Sequence, residues 1–141
     1  MKWFSSLPYR MLRALMLITL MLFSLTGCLL VSGEATALDV QEGAGNLLTR
    51  FVGAEGRGER SIALGLPATA VHVIAIVGVE SGDLELSFVE PDGAVAFVVA
   101  AHPGVEVTHS GVVYTDEAGM LRYRLNAYGA RNGNIQLFVQ P

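Results

Sequence analysis

An all-β fold, an antiparallel β-sandwich or jelly roll of about eight strands after an N-terminal signal helix, is the architecture this sequence predicts. Three observations carry that expectation. From Asn46 onward the chain is a succession of short apolar runs separated by glycine, proline and aspartate, the punctuation of strands and turns. No stretch there keeps a 3.6-residue apolar period for the length of a helix. The beginning differs in kind: Lys2, Arg10 and Arg13 are its only charges, and Ala14 to Leu25 follows with only Thr19 and Ser24 as polar residues. That order is the n-region and h-region of an export signal.

The leader ends on Leu25-Thr26-Gly27-Cys28, and Cys28 is the only cysteine among 141 residues. In this position the four residues resemble the lipobox of bacterial lipoproteins: an aliphatic residue, two small ones, then the cysteine that takes the lipid. The resemblance implies cleavage between Gly27 and Cys28, a diacylglyceryl thioether on Cys28, and often acylation of the new amine. It implies a protein of the bacterial cell envelope, held by lipid on the non-cytoplasmic side of a membrane. Each buried methylene contributes about 0.8 kcal/mol, so two or three chains anchor where one tethers reversibly. Leu29, standing where some lipoproteins carry a retention aspartate, agrees with passage to the outer membrane if the source is Gram-negative. The competing reading is an uncleaved membrane helix over Ala14 to Val31, 18 residues without a charge, at the lower limit of a span. It holds the same domain on the same side, because the positive flank stays cytoplasmic.

Composition after the leader excludes nucleic acid as a partner. Residues 28–141 carry six arginines, no lysine and thirteen acids, a side-chain balance of −7. Such a domain is not built to neutralise nucleic-acid phosphates. With Cys28 committed to lipid no disulfide forms, so a hydrophobic core must hold the domain alone. The expected organisation is a signal peptide over 1–27, a lipidated cysteine and flexible tether over 28–45, and a β-sandwich over 46–141. The tether is read from Ser32-Gly33, Gly43-Ala44-Gly45 and the absence of any sustained period between them.

Strands are expected near Leu47–Val52, Ser61–Leu66, Ala70–Val79, Leu84–Val89, Val95–Ala100, Val105–Tyr114, Leu121–Tyr128 and Ile135–Val139. Gly53 to Gly58 reads as a mobile loop; no helix follows its glycines, so it matches neither a dinucleotide nor a phosphate loop. A two-residue loop at Ser81-Gly82 would pair Val79 with Leu84, Val77 with Leu86 and Ala75 with Phe88, all on one face. At the last hairpin, a three-residue loop Arg131-Asn132-Gly133 with left-handed Gly133 would pair Ala127 with Leu137 and Leu125 with Val139. This register buries Leu121, Tyr123, Leu125, Ile135, Leu137 and Val139. It leaves Arg122, Arg124 and Tyr128 beside Gln136 and Phe138 on one exposed face. Pro91-Asp92-Gly93 suits a type I turn; if Val95, Phe97 and Val99 joined Ile74, Ile76 and Val89, that face would be a large apolar patch.

Ser81-Gly82-Asp83-Leu84-Glu85-Leu86, Pro91-Asp92-Gly93, Gly119 to Arg124 and the closing Ile135 to Val139 resemble the pre-peptidase C-terminal domains of bacterial secreted peptidases. The likeness covers about residues 60–141 and implies an accessory or binding module rather than a catalyst. Three function classes then stand side by side. A non-catalytic module would bind protein or glycan through Arg122, Arg124, Tyr128 and Phe138, residue types enriched in binding hot spots. A calcium-stabilised structural or adhesive domain would use Glu80, Asp83 and Glu85, which face one another in the first hairpin, although their spacing matches no calcium loop. An enzyme would have to assemble His72, His102 or His109 with a carboxylate in space, since no nucleophile elbow or paired-histidine metal motif is present. The expected outcome is the first: no catalytic residue, no cofactor, no metal, and Cys28 as the lipid attachment site.

Overall fold

Eight strands make up residues 28–141 in the computed structural model, which describes those residues and Met16. They are β1 (Leu30–Ser32), β2 (Ala35–Gln41), β3 (Ala44–Ala63), β4 (Ala70–Gly78), β5 (Ser81–Val89), β6 (Val95–Ala101), β7 (Val107–Tyr114) and β8 (Met120–Gln140). The signal segment, including Leu25-Thr26-Gly27, lies outside the described residues. Every pairing between strands is antiparallel, and the expected all-β class holds.

Two long strands, β3 and β8, form the spine. They pair with each other from Gly45↔Val139 to Ala63↔Met120. On the free side of β3, β1 and β2 lie end to end, opposite Gly53–Glu55 and Ala44–Arg50. On the free side of β8, β4 and β5 lie end to end, opposite residues 134–140 and 122–131. Beyond them β6 pairs with β5 and β7 with β4. The result is one antiparallel sheet, five strands wide, folded once into two layers. The first layer holds β2, the start of β3, the end of β8, β4 and β7; the second holds β1, the end of β3, the start of β8, β5 and β6.

The fold line crosses each of the five paths near a glycine with positive φ: Gly33, Gly56, Gly82, Gly104 and Gly129. Bulges sit on it at Ala54/Gly56 and Ser81/Asp83, as sharp bends in paired strands require. At Gly82 the demand is steric as well as conformational. Its φ is 73°, and a Cβ there would stand 2.2 Å from the Gly129 carbonyl oxygen.

Folding the ribbon puts one of its faces on the inside of both layers, so a single alternation in β8 serves the whole core. Leu121, Tyr123, Leu125 and Ala127 point inward from the second layer and Ile135, Leu137 and Val139 from the first, none more than 4% exposed. Leu84, Leu86 and Phe88 of β5, Val71, Val73, Ala75 and Val77 of β4, and Leu47, Phe51 and Ile62 of β3 complete the cluster. The Phe88 and Phe97 rings stack at 4.6 Å.

Four expectations are corrected here. The segment 28–45 is not a tether: β1 and β2 are edge strands, and Leu29, Val31 and Val40 pack against the core. An edge strand shows a weak apolar period because it has little to cover, which is why it read as irregular. Gly53 to Gly58 is not a mobile loop but part of β3; its glycines make room for the Cys28 carbonyl over Gly56 and the Leu29 side chain over Gly58. Neither expected hairpin forms. Val79 does not pair with Leu84, because β4 passes into β5 across the fold line and both pair with β8. Nor does Ala127 pair with Leu137, because residues 131–133 lie inside β8; Asn132 takes the left-handed conformation at φ 45° and Gly133 does not. The register left open at Pro91-Asp92-Gly93 is also defined: β6 pairs with β5 and turns Val99 into the core, so Phe97 and Val99 do not lie with Ile74 and Ile76.

Candidate functional site

On either side of the bend, period-2 alternation sends the even-numbered residues of β8 outward, with Ala130 buried within the bend itself, and the fold line distributes them over two opposite surfaces. Arg122, Arg124, Asn126 and Tyr128 lie on the outer face of the second layer, and Phe138 with Gln136 and Gln140 on that of the first. The four residues expected on one face are therefore not brought together. Tyr128 is opposite Asp83, whereas Phe138 is flanked by Asn46 and Ile74.

On the second layer three rows of cross-strand neighbours stand side by side: Arg57, Asn126 and Glu85; Glu59, Arg124 and Ser87; Ser61, Arg122 and Val89. Their polar groups are directed at one another. Arg57 Nε donates to Asn126 Oδ1 at 2.7 Å, and Asn126 Nδ2 donates to Glu85 Oε1 at 2.9 Å. Arg124 Nε donates to Glu59 Oε2 at 3.0 Å. Arg122 lies 3.6 Å from Glu59 Oε1 and donates through Nη2 to the carbonyls of Glu90 and Pro91 at 2.9 and 3.1 Å. Both guanidinium groups are thus engaged within the domain, and Tyr128, 59% exposed, is the large side chain left standing free of the surface.

The outer face of the first layer has another character. Phe138, Ile76 and Leu48 are half-buried, and Ile74 and Val112 are 40% and 44% exposed. Asn46, Gln136, Gln140, His72, Thr108 and Ser110 stand among and around them, on β3, β8, β4 and β7. Toward the fold line the face dips into a shallow groove of about 570 Å³ lined by Arg50, Glu106, Asn134 and Gln136 among others. There Asn134 Nδ2 donates to Glu106 Oε2 at 3.3 Å. Asn46, Leu48, Thr108 and Ser110 escaped the sequence reading. Each is an outward position of an alternating strand, but only the strand order reveals that they share a surface with Phe138.

The acidic trio does not assemble. Glu80 Oε2 accepts from Asn132, Asp83 Oδ1 from His102 Nδ1 at 2.8 Å, and Glu85 from Asn126. Among the described residues no group of three His, Cys, Asp or Glu side chains is placed to hold a metal ion. The histidines do not converge either. His72 is exposed on the first layer, and His109 packs edge-on against Phe97 at 5.4 Å with Nδ1 3.0 Å from the Val98 carbonyl. The His102–Asp83 pair has the composition of a catalytic dyad but not its setting: the side chains are 72% and 54% exposed, so water screens them and no substrate is enclosed.

One ionic contact is structural. Glu34, at the break between β1 and β2, meets Arg60 of β3 through both carboxylate oxygens, Nη2 to Oε2 at 2.9 Å. The Arg60 hydrogen bond holds the Glu34 carboxyl below its ordinary range, and the same bond raises the Arg60 guanidinium. Burial pushes the neighbouring Tyr123 phenol up. This latch closes the β1–β2 edge over the core beside Leu29 and Val31.

No protein-family model matches the chain, and neither does any curated protein. Among solved structures it is similar to a carbohydrate-binding module of Cellvibrio mixtus lichenase 5A in complex with cellotriose, at 19% identity and a TM-score of 0.39, covering 79% of this chain and 89% of that one. It is similar to the xylan-binding domain from Paenibacillus barcinonensis Xyn10C at 13% identity and a TM-score of 0.42, covering 79% and 84%. A third likeness, at 8% identity and a TM-score of 0.44 over 80% and 94% of the two chains, is to Bacillus endospore appendages that form disulfide-linked pili. None of these transfers a ligand or a site residue to this chain.

Proposed function

We propose that the chain is a lipid-anchored, non-catalytic binding module of the bacterial cell envelope, which takes a glycan or a protein on the outer face of its first layer. The observation that carries this reading is the surface around Phe138. It combines a half-buried ring and branched aliphatic side chains with the amides of Asn46, Gln136 and Gln140. A ring flanked by amides suits a sugar, whose C–H face packs on the aromatic while its hydroxyls exchange hydrogen bonds with the amides. Arg122 and Arg124, the residues favoured from sequence, are set aside as primary contacts because Glu59 and the Glu90 and Pro91 carbonyls already engage them.

The anchor rests on the leader and the lipobox resemblance, together with the exposed position of Cys28. The experiment for the binding face is retention of the soluble domain on an array of bacterial polysaccharides. Phe138→Ala should weaken a retained ligand by about 30-fold, the loss of a hot spot worth about 2 kcal/mol. Binding untouched by Phe138→Ala and abolished by Arg124→Ala would move the site to the other layer.

A further inference from the structure

The path from Cys28 into the sandwich has no slack. A free segment over 29–45 would give the domain a root-mean-square reach of about 20–25 Å from its anchor. Instead Leu29 packs against the core, Leu30 pairs with Glu55, and the Cys28 carbonyl sits where a Cβ on Gly56 would be, 2.5 Å away. Leu29 and Val31 point inward, so alternation turns Cys28 and Leu30 outward, at the β1 edge of the second layer's outer face. A lipid on Cys28 would emerge there.

The same face is the less acidic side of an acidic domain. Its three rows hold Arg57, Arg122 and Arg124 against Glu59 and Glu85, with Glu55 opposite Leu30 and Asp83 opposite Tyr128: three of the six arginines of residues 28–141 and four of their thirteen acids. Exposed Tyr128 stands at the end of these rows near the fold line, and tyrosine is a side chain that settles at the headgroup level of a bilayer.

We infer that the outer face of the second layer rests on the phospholipid headgroups, with Cys28 pinning its edge, and that the outer face of the first layer is thereby presented away from the membrane. This rests on the lipid anchor proposed above and adds a fixed orientation to it. The test uses the full chain, processed in a bacterial host, carrying either Ser61→Cys on the second layer or Ser110→Cys on the first. Each is labelled with a fluorophore and reconstituted in vesicles of phosphatidylethanolamine and phosphatidylglycerol that contain a headgroup nitroxide quencher. Mass analysis of the N-terminal peptide and vesicle flotation report the anchor independently.

With the lipid in place, the label at position 61 should be quenched severalfold more than that at 110. Inserting ten Gly/Ser residues between Cys28 and Leu29, a reach of about 16–19 Å, should erase the difference. A lipidated, floating protein whose two labels are quenched alike overturns the orientation and leaves the anchor standing. An unlipidated, non-floating protein overturns both.

Discussion

Replacing Gly133 by alanine tests how closely β3 and β8 pack across their ladder near the fold line. Gly133 is buried in β8 opposite Phe51 of β3, and a Cβ there would stand 2.1, 2.6 and 2.8 Å from Cζ, Cε1 and Cε2 of the Phe51 ring. The ring, only 6% exposed, cannot swing into solvent. Gly133→Ala should therefore destabilise by about 1–3 kcal/mol, the usual cost of overpacking a core, which lowers Tm by about 4–6 °C per kcal/mol in a domain of this size. The three clashing atoms are absent from leucine. In a Phe51→Leu background the same substitution should cost less than about 0.5 kcal/mol, or stabilise slightly, because alanine is otherwise the better strand residue. Urea unfolding of residues 29–141 in a double-mutant cycle measures the coupling. An equal cost in both backgrounds would rule out the Phe51 ring as its cause; it is the result a left-handed Gly133 would give, the expectation from sequence that the backbone contradicts.

Other consequences can be checked in parallel. Gly82→Ala, with positive φ and a backbone carbonyl in the way, should cost more than Gly133→Ala, and thermal melts that rank them the other way would contradict the fold-line geometry. Thr115 is fully buried, donates to the Leu66 carbonyl and accepts from Thr69 N–H; Thr115→Val strands those groups and should lower stability by about 1–3 kcal/mol. Because the Arg60 hydrogen bond holds the Glu34 carboxyl below the usual glutamate range, the latch stabilises above that range and is lost as pH falls through the lowered folded value. Glu34→Gln should thus lower Tm at pH 7 by an amount that vanishes in acid; a pH-independent difference would show that the ion pair contributes nothing. Cys28→Ser should abolish incorporation of a fatty-acid analogue and leave the precursor uncut, and unchanged labelling would remove the anchor.

Burial was legible in the sequence because side-chain alternation needs no knowledge of partners. Ala75, Val77, Val79, Leu84, Leu86 and Phe88, and Leu121, Tyr123, Leu125, Ile135, Leu137 and Val139, are all inside, although both hairpins inferred from them were wrong. Alternation assigns a face and is silent on the neighbour. Ser81-Gly82 and Asn132-Gly133 have the chemistry of hairpin turns, and what they do instead is bend strands that continue past them, a choice made by pairing with β3 and β8 far away in sequence. The same ambiguity split the candidate face: Arg122, Arg124 and Tyr128 do share a surface, but the bend at Gly129 carries Phe138 to the other side of the sandwich. The edge strands β1 and β2 were invisible because little of their surface is buried, and only their placement shows that Gly58 makes room for Leu29 and that Gly56, at positive φ, also makes room for the Cys28 carbonyl.

If the outer face of the first layer is the working surface, a ligand must touch it and leave the arginine rows of the second layer alone. Backbone amide chemical-shift mapping of residues 29–141, titrated with whichever polysaccharide fragment the array retains, tests this residue by residue. Shifts gathered at Asn46, Ile74, Ser110, Gln136 and Phe138, with Arg57, Arg122 and Arg124 unmoved, are the predicted result; shifts centred on the three arginines and Tyr128 would contradict it.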